Sequence, residues 1–137
     1  MAGEKNKQEE LARLAYMEDL YSQQYSAIMN EIASFGMAQG AVQRNLELLE
    51  KMNQIKGNIL LNGEGGTYIE ANVKSVSRVL AYVGAGYLVE SNAEKAKTFL
   101  KDGLEKGNES IKKLVDEKQR LEDEILKIRY SIESLRQ

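Results

Sequence analysis

The sequence of 137 residues has no cysteine, no histidine, no proline and no tryptophan, and phenylalanine occurs twice. Without thiols or imidazoles, the chain has no disulfide, no thiolate or histidine metal site, no cysteine nucleophile and no catalytic triad with a histidine base. The lack of proline removes the residue that most often interrupts a helix. Charged residues make up 29% of the chain. This composition favours long helices over a globular domain.

Positive and negative charges are nearly balanced along the chain. The balance is −2 over residues 1–56 (6 basic, 8 acidic), −1 over 57–91 (2 and 3) and +1 over 92–137 (11 and 10), so no segment is a basic arm for nucleic acid. The longest uncharged, mainly apolar run has 11 residues, from Val79 to Val89, whereas a membrane-spanning helix needs about 17–25. Residues 1–7 also lack the apolar core of a signal peptide. We predict a cytoplasmic protein that binds neither nucleic acid nor membrane.

Apolar residues recur every seven positions in both halves of the chain, as in a coiled-coil seam. Polar residues at four a positions lower the stability of the seam while fixing its register. The predicted d positions are Leu14, Tyr21, Ile28, Phe35, Val42 and Leu49, then Leu100, Gly107, Leu114, Leu121, Ile128 and Leu135. The predicted a positions are Leu11, Glu18, Tyr25, Ile32, Gln39, Leu46 and Asn53, then Leu104, Ile111, Lys118, Ile125 and Ile132. Two long helices are therefore expected over residues 8–56 and 92–136.

The inner ends of both helices carry boundary signals. Gly57 suits the end of the first helix, because glycine adopts the left-handed conformation that closes a last turn. Ser91-Asn92-Ala93-Glu94 has the pattern of a capping box at the start of the second helix. Helices of similar length around a short insert favour an antiparallel pair, in which positions whose numbers sum to about 148 lie opposite each other.

The segment between the helices has the pattern of two β-hairpins, with turns at residues 62–66 and 84–86. Four short strands do not make an independently stable sheet, so we expect their edges to pair with strands of other subunits. The residues predicted for this oligomerisation platform are Ile59, Leu61, Ile69, Ala71, Val73, Val79, Ala81, Val83 and Leu88. The expected fold is mainly α with a small β insert: helix over residues 1–56, platform over 57–91 and helix over 92–137, in a single domain.

The sequence of the insert and the order of the elements resemble the α-class subunit of prefoldin. The resemblance is carried by residues 66–73 (GTYIEANV), 83–90 (VGAGYLVE) and 94–100 (EKAKTFL), together with the two hairpins that distinguish the α class from the β class with one hairpin. The family usually has a proline near the start of the first hairpin, and this chain has none there. This difference concerns the shape of the first turn and the choice of partner subunit.

The resemblance implies a chaperone that works without ATP. Two α and four β subunits would join through a double β-barrel platform, so the partners are a second copy of this chain and β-class subunits. Six coiled coils would enclose a cavity, bind unfolded polypeptides and pass them to a group II chaperonin. No cofactor is implied.

Five apolar residues near the chain ends are not needed by the seam. In the antiparallel pair they fall in one band near the open end, and such grouped exposed residues mark an interaction surface. These predicted client-binding residues, called the tip cluster below, are Tyr16, Met17, Leu20, Leu126 and Tyr130. Alternatively, the same side chains cover a frayed coiled coil or pack against a neighbouring one.

The sequence gives less support to a phosphate-binding loop or to a catalytic or metal-binding site. Gly84-Ala85-Gly86 is followed by strand-like residues and not by a helix, so it is read as a hairpin turn and not as a phosphate loop. Carboxylates such as Glu122-Asp123-Glu124 lie on a solvated helix face without a desolvated pocket, so no catalytic or metal-binding residue is predicted. The chain is expected not to be an enzyme. The rival from another class is a structural relative of prefoldin whose β segment polymerises into filaments.

Overall fold

The computed structural model describes residues 2–137, with the backbone alone described at Asn53, Val83 and Gly84. The elements are helix α1 (Ala2–Glu50), strands β1 (Gly57–Asn62), β2 (Tyr68–Val73), β3 (Val79–Gly84) and β4 (Tyr87–Ser91), and helix α2 (Ala93–Arg136). The contacts divide the chain into two compact units. The first contains residues up to Ala38 together with Gly107–Gln137, and the second contains Gln39–Lys106. The predicted fold of two long helices with two hairpins between them is confirmed.

The predicted seam supplies the core of both helices. Every predicted a and d residue from Leu11 to Leu49 and from Leu100 to Leu135 is buried or half-buried. Leu121 is 0% exposed, and burying a leucine side chain fully contributes about 1.5–3 kcal/mol. The most deeply buried seam residues are Leu14, Leu46, Leu49, Leu121, Ile125 and Ile128.

Two polar contacts fix the register of the helices in the first unit. The Tyr25 hydroxyl donates a hydrogen bond of 2.9 Å to the Glu122 carboxylate, and Arg129 Nε donates one of 2.8 Å to Glu18 Oε1. Because the partner number falls by seven as the α1 number rises by seven, α1 and α2 run antiparallel. Both pairs of residue numbers sum to 147, which confirms the predicted pairing to within one residue.

The second unit has its own contact between the helices. The Gln39 side chain donates a hydrogen bond of 2.7 Å from Nε2 to the backbone carbonyl of Leu104. A polar side chain at a seam position costs less when it finds such a partner, because its desolvation is then compensated. The contact also ties Gln39 to one level of α2.

Helix α1 differs from its predicted limits at both ends. It begins at Ala2 and ends at Glu50, and Met52–Gln54 form a single turn of 3-10 helix. The prediction that Gly57 closes the helix is wrong. Gly57 has a φ of 77°, but it is the first residue of β1 and pairs with Val73. The helix ends seven residues earlier, at Glu50, and Gly57 instead begins the strand that pairs with β2.

The N-terminus of α2 is capped one residue later than predicted. The Asn92 side-chain oxygen accepts a hydrogen bond of 2.8 Å from the backbone N–H of Lys95, whereas the Ser91 hydroxyl donates to the Asn92 carbonyl. The prediction of Ser91 as the cap is therefore wrong. Strand β4 continues through Ser91, and asparagine serves equally well as an N-cap.

The two hairpins form separate two-stranded antiparallel sheets, β1 with β2 and β3 with β4. In the first, Leu61 lies opposite Ile69, and the turn contains Gly65 and Gly66, both with positive φ. The second hairpin turns through Ala85 and Gly86, whose φ values of 51° and 81° are those that a type I′ turn requires. The predicted positions of both hairpins are confirmed, and the glycine-containing segment 84–86 connects two strands.

Replacing Ala85 should show that its left-handed conformation is strained. Asparagine tolerates this conformation better than alanine, so Ala85→Asn is expected to stabilise the hairpin by up to about 1 kcal/mol. Ala85→Val should destabilise it, because a β-branched side chain clashes most at positive φ. Urea unfolding followed by tyrosine fluorescence measures both. A valine variant as stable as the asparagine variant would show that the turn does not require positive φ.

The Tyr25 to Glu122 hydrogen bond should make stability depend on alkaline pH. The pKa of Tyr25 is raised above its ordinary value of 10.0, mainly because the hydroxyl donates to Glu122, with smaller contributions from desolvation and from the nearby negative charge. A raised pKa stabilises the folded chain below pH 10, and this stabilisation is lost as the pH rises through the folded-state pKa. Tyr25→Phe should therefore lower the melting temperature at neutral pH, and the difference from wild type should shrink above pH 10.

The exposed Tyr16 supplies the control for the loss of a hydroxyl. Tyr16→Phe changes a side chain that is 69% exposed and should leave the melting temperature at neutral pH unchanged. A Tyr25→Phe difference that persists undiminished in alkaline solution would contradict the hydrogen-bond assignment.

Candidate functional site

The tip cluster lies in the first unit, on both helices. Tyr16 is 69% exposed, Leu126 is 61% exposed and Tyr130 is 77% exposed, whereas the neighbouring seam residues are covered. Leu20 is also exposed, and Met17 is half-buried. The described structure thus leaves four of the five predicted side chains exposed, three of them by more than half.

The five residues do not form one continuous patch. Tyr130 lines a shallow groove with Glu10 and Arg13, on the side of the helix pair where the g and c positions lie. Leu126 lines a different groove with Tyr25, on the side of the e and b positions. The heptad positions of Met17 and Leu20 place them on the side of Tyr130. The tip therefore has two apolar sides, separated by the seam.

Met17 is held in place by polar neighbours. Arg13 Nη1 approaches the Met17 sulfur at 3.1 Å, and the same guanidinium makes a two-pronged contact with the Glu10 carboxylate. The hydrogen bond from Arg13, assisted by its positive charge, lowers the pKa of Glu10 below its ordinary value despite some opposing desolvation. A charged pair thus borders the apolar surface on the Met17 side.

In the first hairpin, the predicted platform residues share one face. Directly opposed residues of an antiparallel pair point to the same side of the sheet. The register therefore places Ile59, Leu61, Ile69, Ala71 and Val73 together. Leu60 and Tyr68 lie on the other face and are exposed, although the sequence reasoning did not select them. For Leu60, the sequence signal was that every residue from Ile59 to Leu61 is apolar, which is typical of a strand covered on both faces.

In the second hairpin, the predicted residues lie on opposite faces. Ala81 pairs with Val89, and Val79 lies on the same face, but Leu88 pairs with Tyr82. Leu88 therefore shares its face with Tyr82 and Leu80, all three exposed. The side chain of the predicted residue 83 lies outside the described part of the structure.

Both hairpins thus expose apolar side chains on both faces. The additional exposed residues that sequence reasoning missed are Leu60, Tyr68, Leu80, Tyr82, Tyr87 and Val89. Contiguous exposed apolar surface of this kind marks a protein–protein contact. In a hairpin it also leaves free strand edges for pairing.

The described residues contain neither a cluster of metal ligands nor a membrane-spanning helix. Among residues 2–137, no three carboxylates converge in the way that metal ligands do. Neither of the helices in the same range has a stretch long and apolar enough to cross a bilayer.

Comparison with known proteins finds the prefoldin family. The family model described as "Prefoldin subunit" matches residues 21–137. The chain is 29% identical over 120 residues to "Prefoldin subunit alpha" of Methanocorpusculum labreanum, covering 86% of this chain and 82% of the relative. It is also 29% identical over 107 residues to "Prefoldin subunit alpha" of Pyrococcus horikoshii, covering 76% and 72%.

A solved structure has the same fold. A chain in the cryo-EM structure of filamentous prefoldin from Methanocaldococcus jannaschii matches with a TM-score of 0.56 and 22% identity, covering 85% of this chain and 93% of that one. The sequence matches and the two-hairpin fold agree on the class of subunit. The chain belongs to the prefoldin family, as an α-class subunit.

Proposed function

We propose that this chain is a subunit of a chaperone that binds unfolded polypeptides at the tip cluster and prevents their aggregation without ATP. It does not act as an enzyme, and it passes its clients to a group II chaperonin in the cytoplasm. Through the hairpins it joins a second copy of itself and β-class subunits in a hexamer of two α and four β chains. Membership of the prefoldin family supports the chaperone assignment.

The exposure of the tip cluster is the observation that carries this proposal. In the first unit the a and d seam is covered, so Tyr16, Leu126 and Tyr130 are not needed to hold the helices together. Aromatic and aliphatic side chains that remain in water lower the free energy when an unfolded chain covers them. Tyrosine adds a hydroxyl that can bond to exposed backbone of the client.

Binding would be multivalent. Each tip offers a few apolar side chains on two sides, which gives a weak and unselective contact. Several tips in one assembly hold the same client, because the first contact raises the effective concentration of the client at the others. Release then needs no nucleotide, since each single contact breaks readily.

Substitution of the tip cluster tests client binding. The triple variant Tyr16→Ser, Leu126→Ser, Tyr130→Ser should assemble normally but require at least about tenfold more protein to suppress aggregation of an unfolded client, since each lost apolar contact weakens binding. Light scattering of a denatured enzyme diluted into buffer gives the readout.

A matched control uses three exposed apolar residues outside the tip cluster. The variant Met29→Ser, Met37→Ser, Val115→Ser removes side chains that are also exposed and off the seam. It should protect the client as wild type does. Full protection by the tip variant, with its assembly mass unchanged, would contradict client binding at the tip cluster.

The alternative function is structural. A prefoldin relative could use its β segment to polymerise into filaments, and the fold of this chain matches that of a filamentous prefoldin. The exposed hairpin faces would serve either form of assembly. The chaperone requires a closed assembly with a fixed number of subunits, whereas a filament adds subunits without limit.

Mass measurement separates the two forms of assembly. The purified chain, alone and mixed with a one-hairpin β-class subunit, is analysed by native mass spectrometry. We expect a discrete hexamer on mixing, because the hairpin edges close into a platform when complementary strands are present. Open-ended polymers from this chain alone would contradict the hexamer and favour the filament.

A further inference from the structure

Along part of the second unit, residues 41–48 of α1 and 96–103 of α2, one side of the helix pair carries no charge, and Lys106 is the first charged residue beyond it on this side of α2. The g and c positions of α1 and α2 lie on this side of an antiparallel pair. We call the following six residues the uncharged stripe: Ala41, Asn45 and Leu48 of α1, and Ala96, Phe99 and Gly103 of α2. Positions that flank a coiled-coil seam normally carry Glu and Lys, which keep the surface soluble.

Two other sets of flanking positions follow the normal rule. On the opposite side of the same unit, the e and b positions carry five charged residues: Glu47, Glu50, Glu94, Lys101 and Glu105. In the first unit, the g and c positions include Glu10, Arg13, Glu117, Arg120, Glu124 and Lys127. At the level of the uncharged stripe, the flanking charges therefore all lie on the opposite side of the helix pair.

Two large apolar side chains stand exposed on the uncharged stripe. Leu48 is 58% exposed and Phe99 is 51% exposed, and neither occupies a seam position. Depletion of charge together with exposed aromatic and aliphatic residues is the composition of an interface core. Gly103 beside them is exposed and has no side chain, which allows close approach of a partner.

We propose that the uncharged stripe is a second docking surface for the neighbouring prefoldin subunit that binds the hairpins. This inference rests on the assembly in the proposed function. Leu48 lies nine residues before the first strand and Phe99 eight residues after the last, so the stripe adjoins the hairpins in the same unit. A subunit held by the hairpins is already close to the stripe, and the extra contact costs little additional entropy.

The partner surface should itself be apolar and uncharged. The stripe offers no charge to pair with, and a charged group placed against it would lose hydration without compensation. Docking there is driven by burial of apolar area and not by ion pairs. Its strength should thus be nearly independent of salt, unlike a contact between charged surfaces.

The absence of native cysteine allows a direct test. Single-cysteine variants Leu48→Cys and Phe99→Cys are labelled with a maleimide, in the free chain and after mixing with a one-hairpin β-class subunit. Labelling should slow by at least about tenfold on assembly if the stripe is covered, a protection of about 1.4 kcal/mol. Met37→Cys, at a helix position 78% exposed in the first unit, is the control and should label at the same rate in both states.

Assembly is measured in the same samples by native mass spectrometry. This measurement distinguishes failure of the proposed assembly from failure of docking at the uncharged stripe. If the wild-type chain forms no assembly, the proposed function fails and the inference fails with it. If the assembly forms and both stripe cysteines label as fast as in the free chain, the inference alone is overturned.

A second pair of variants tests the contribution to assembly. Leu48→Lys with Phe99→Lys should raise the concentration for half-assembly by at least about tenfold, because two charges are placed in an apolar contact. Met37→Lys should leave it unchanged, and circular dichroism checks that all variants keep their helix content. If the double lysine variant assembles like wild type, whether or not it still protects clients, the stripe is not a subunit contact and the inference is overturned.

Discussion

The packing of apolar a and d side chains between α1 and α2 is the interaction on which the rest of the structure depends. Each helix depends on the other, because helices in proteins gain most of their stability from burying one face. The most deeply covered residues, including Leu121 and Ile128, belong to this seam. Polar contacts such as that of Tyr25 with Glu122 select the register, whereas the apolar side chains supply most of the free energy.

The narrow seam contains only part of the apolar residues of the chain. The positions of the other apolar residues indicate which surfaces bind other proteins. The chain has 42% hydrophobic residues, more than a two-helix seam can cover. Most of the large exposed side chains lie in the tip cluster, on both faces of the hairpins and along the uncharged stripe. On the helices, Met29, Met37 and Val115 are exposed singly outside these groups.

The parts of the fold that follow from periodicity could be predicted from the sequence. The heptads place the seam residues from Leu11 to Leu49 and from Leu100 to Leu135 correctly, whereas the predicted seam residue Asn53 lies in the 3-10 turn after α1 and its side chain is outside the described structure. The antiparallel register follows from the similar lengths of the helices. Local signals at the boundaries were less reliable, because strand pairing overrides them. Gly57 has the left-handed backbone expected of a helix end, yet its pairing with Val73 makes it part of a strand.

The face of a hairpin on which a side chain lies depends on the register of its strands. The sequence does not specify this register where the hairpin contains a bulge. The irregularity between Tyr82 and Gly84 shifts the ladder, and Leu88 then pairs with Tyr82 and not with the residues grouped with it in sequence. The same limit applies to the tip cluster. Its residues were predicted as one band along the chain, whereas Leu126 and Tyr130 lie on different sides of the seam.

Because the strands form two small sheets, the proposed assembly would couple their folding to the concentration of subunits. A two-stranded sheet is marginally stable in water, so in that assembly hairpin order and subunit association form one equilibrium. The midpoint of hairpin ordering would rise with protein concentration. In a cell, the supply of partner chains would then determine what fraction of this subunit is fully folded.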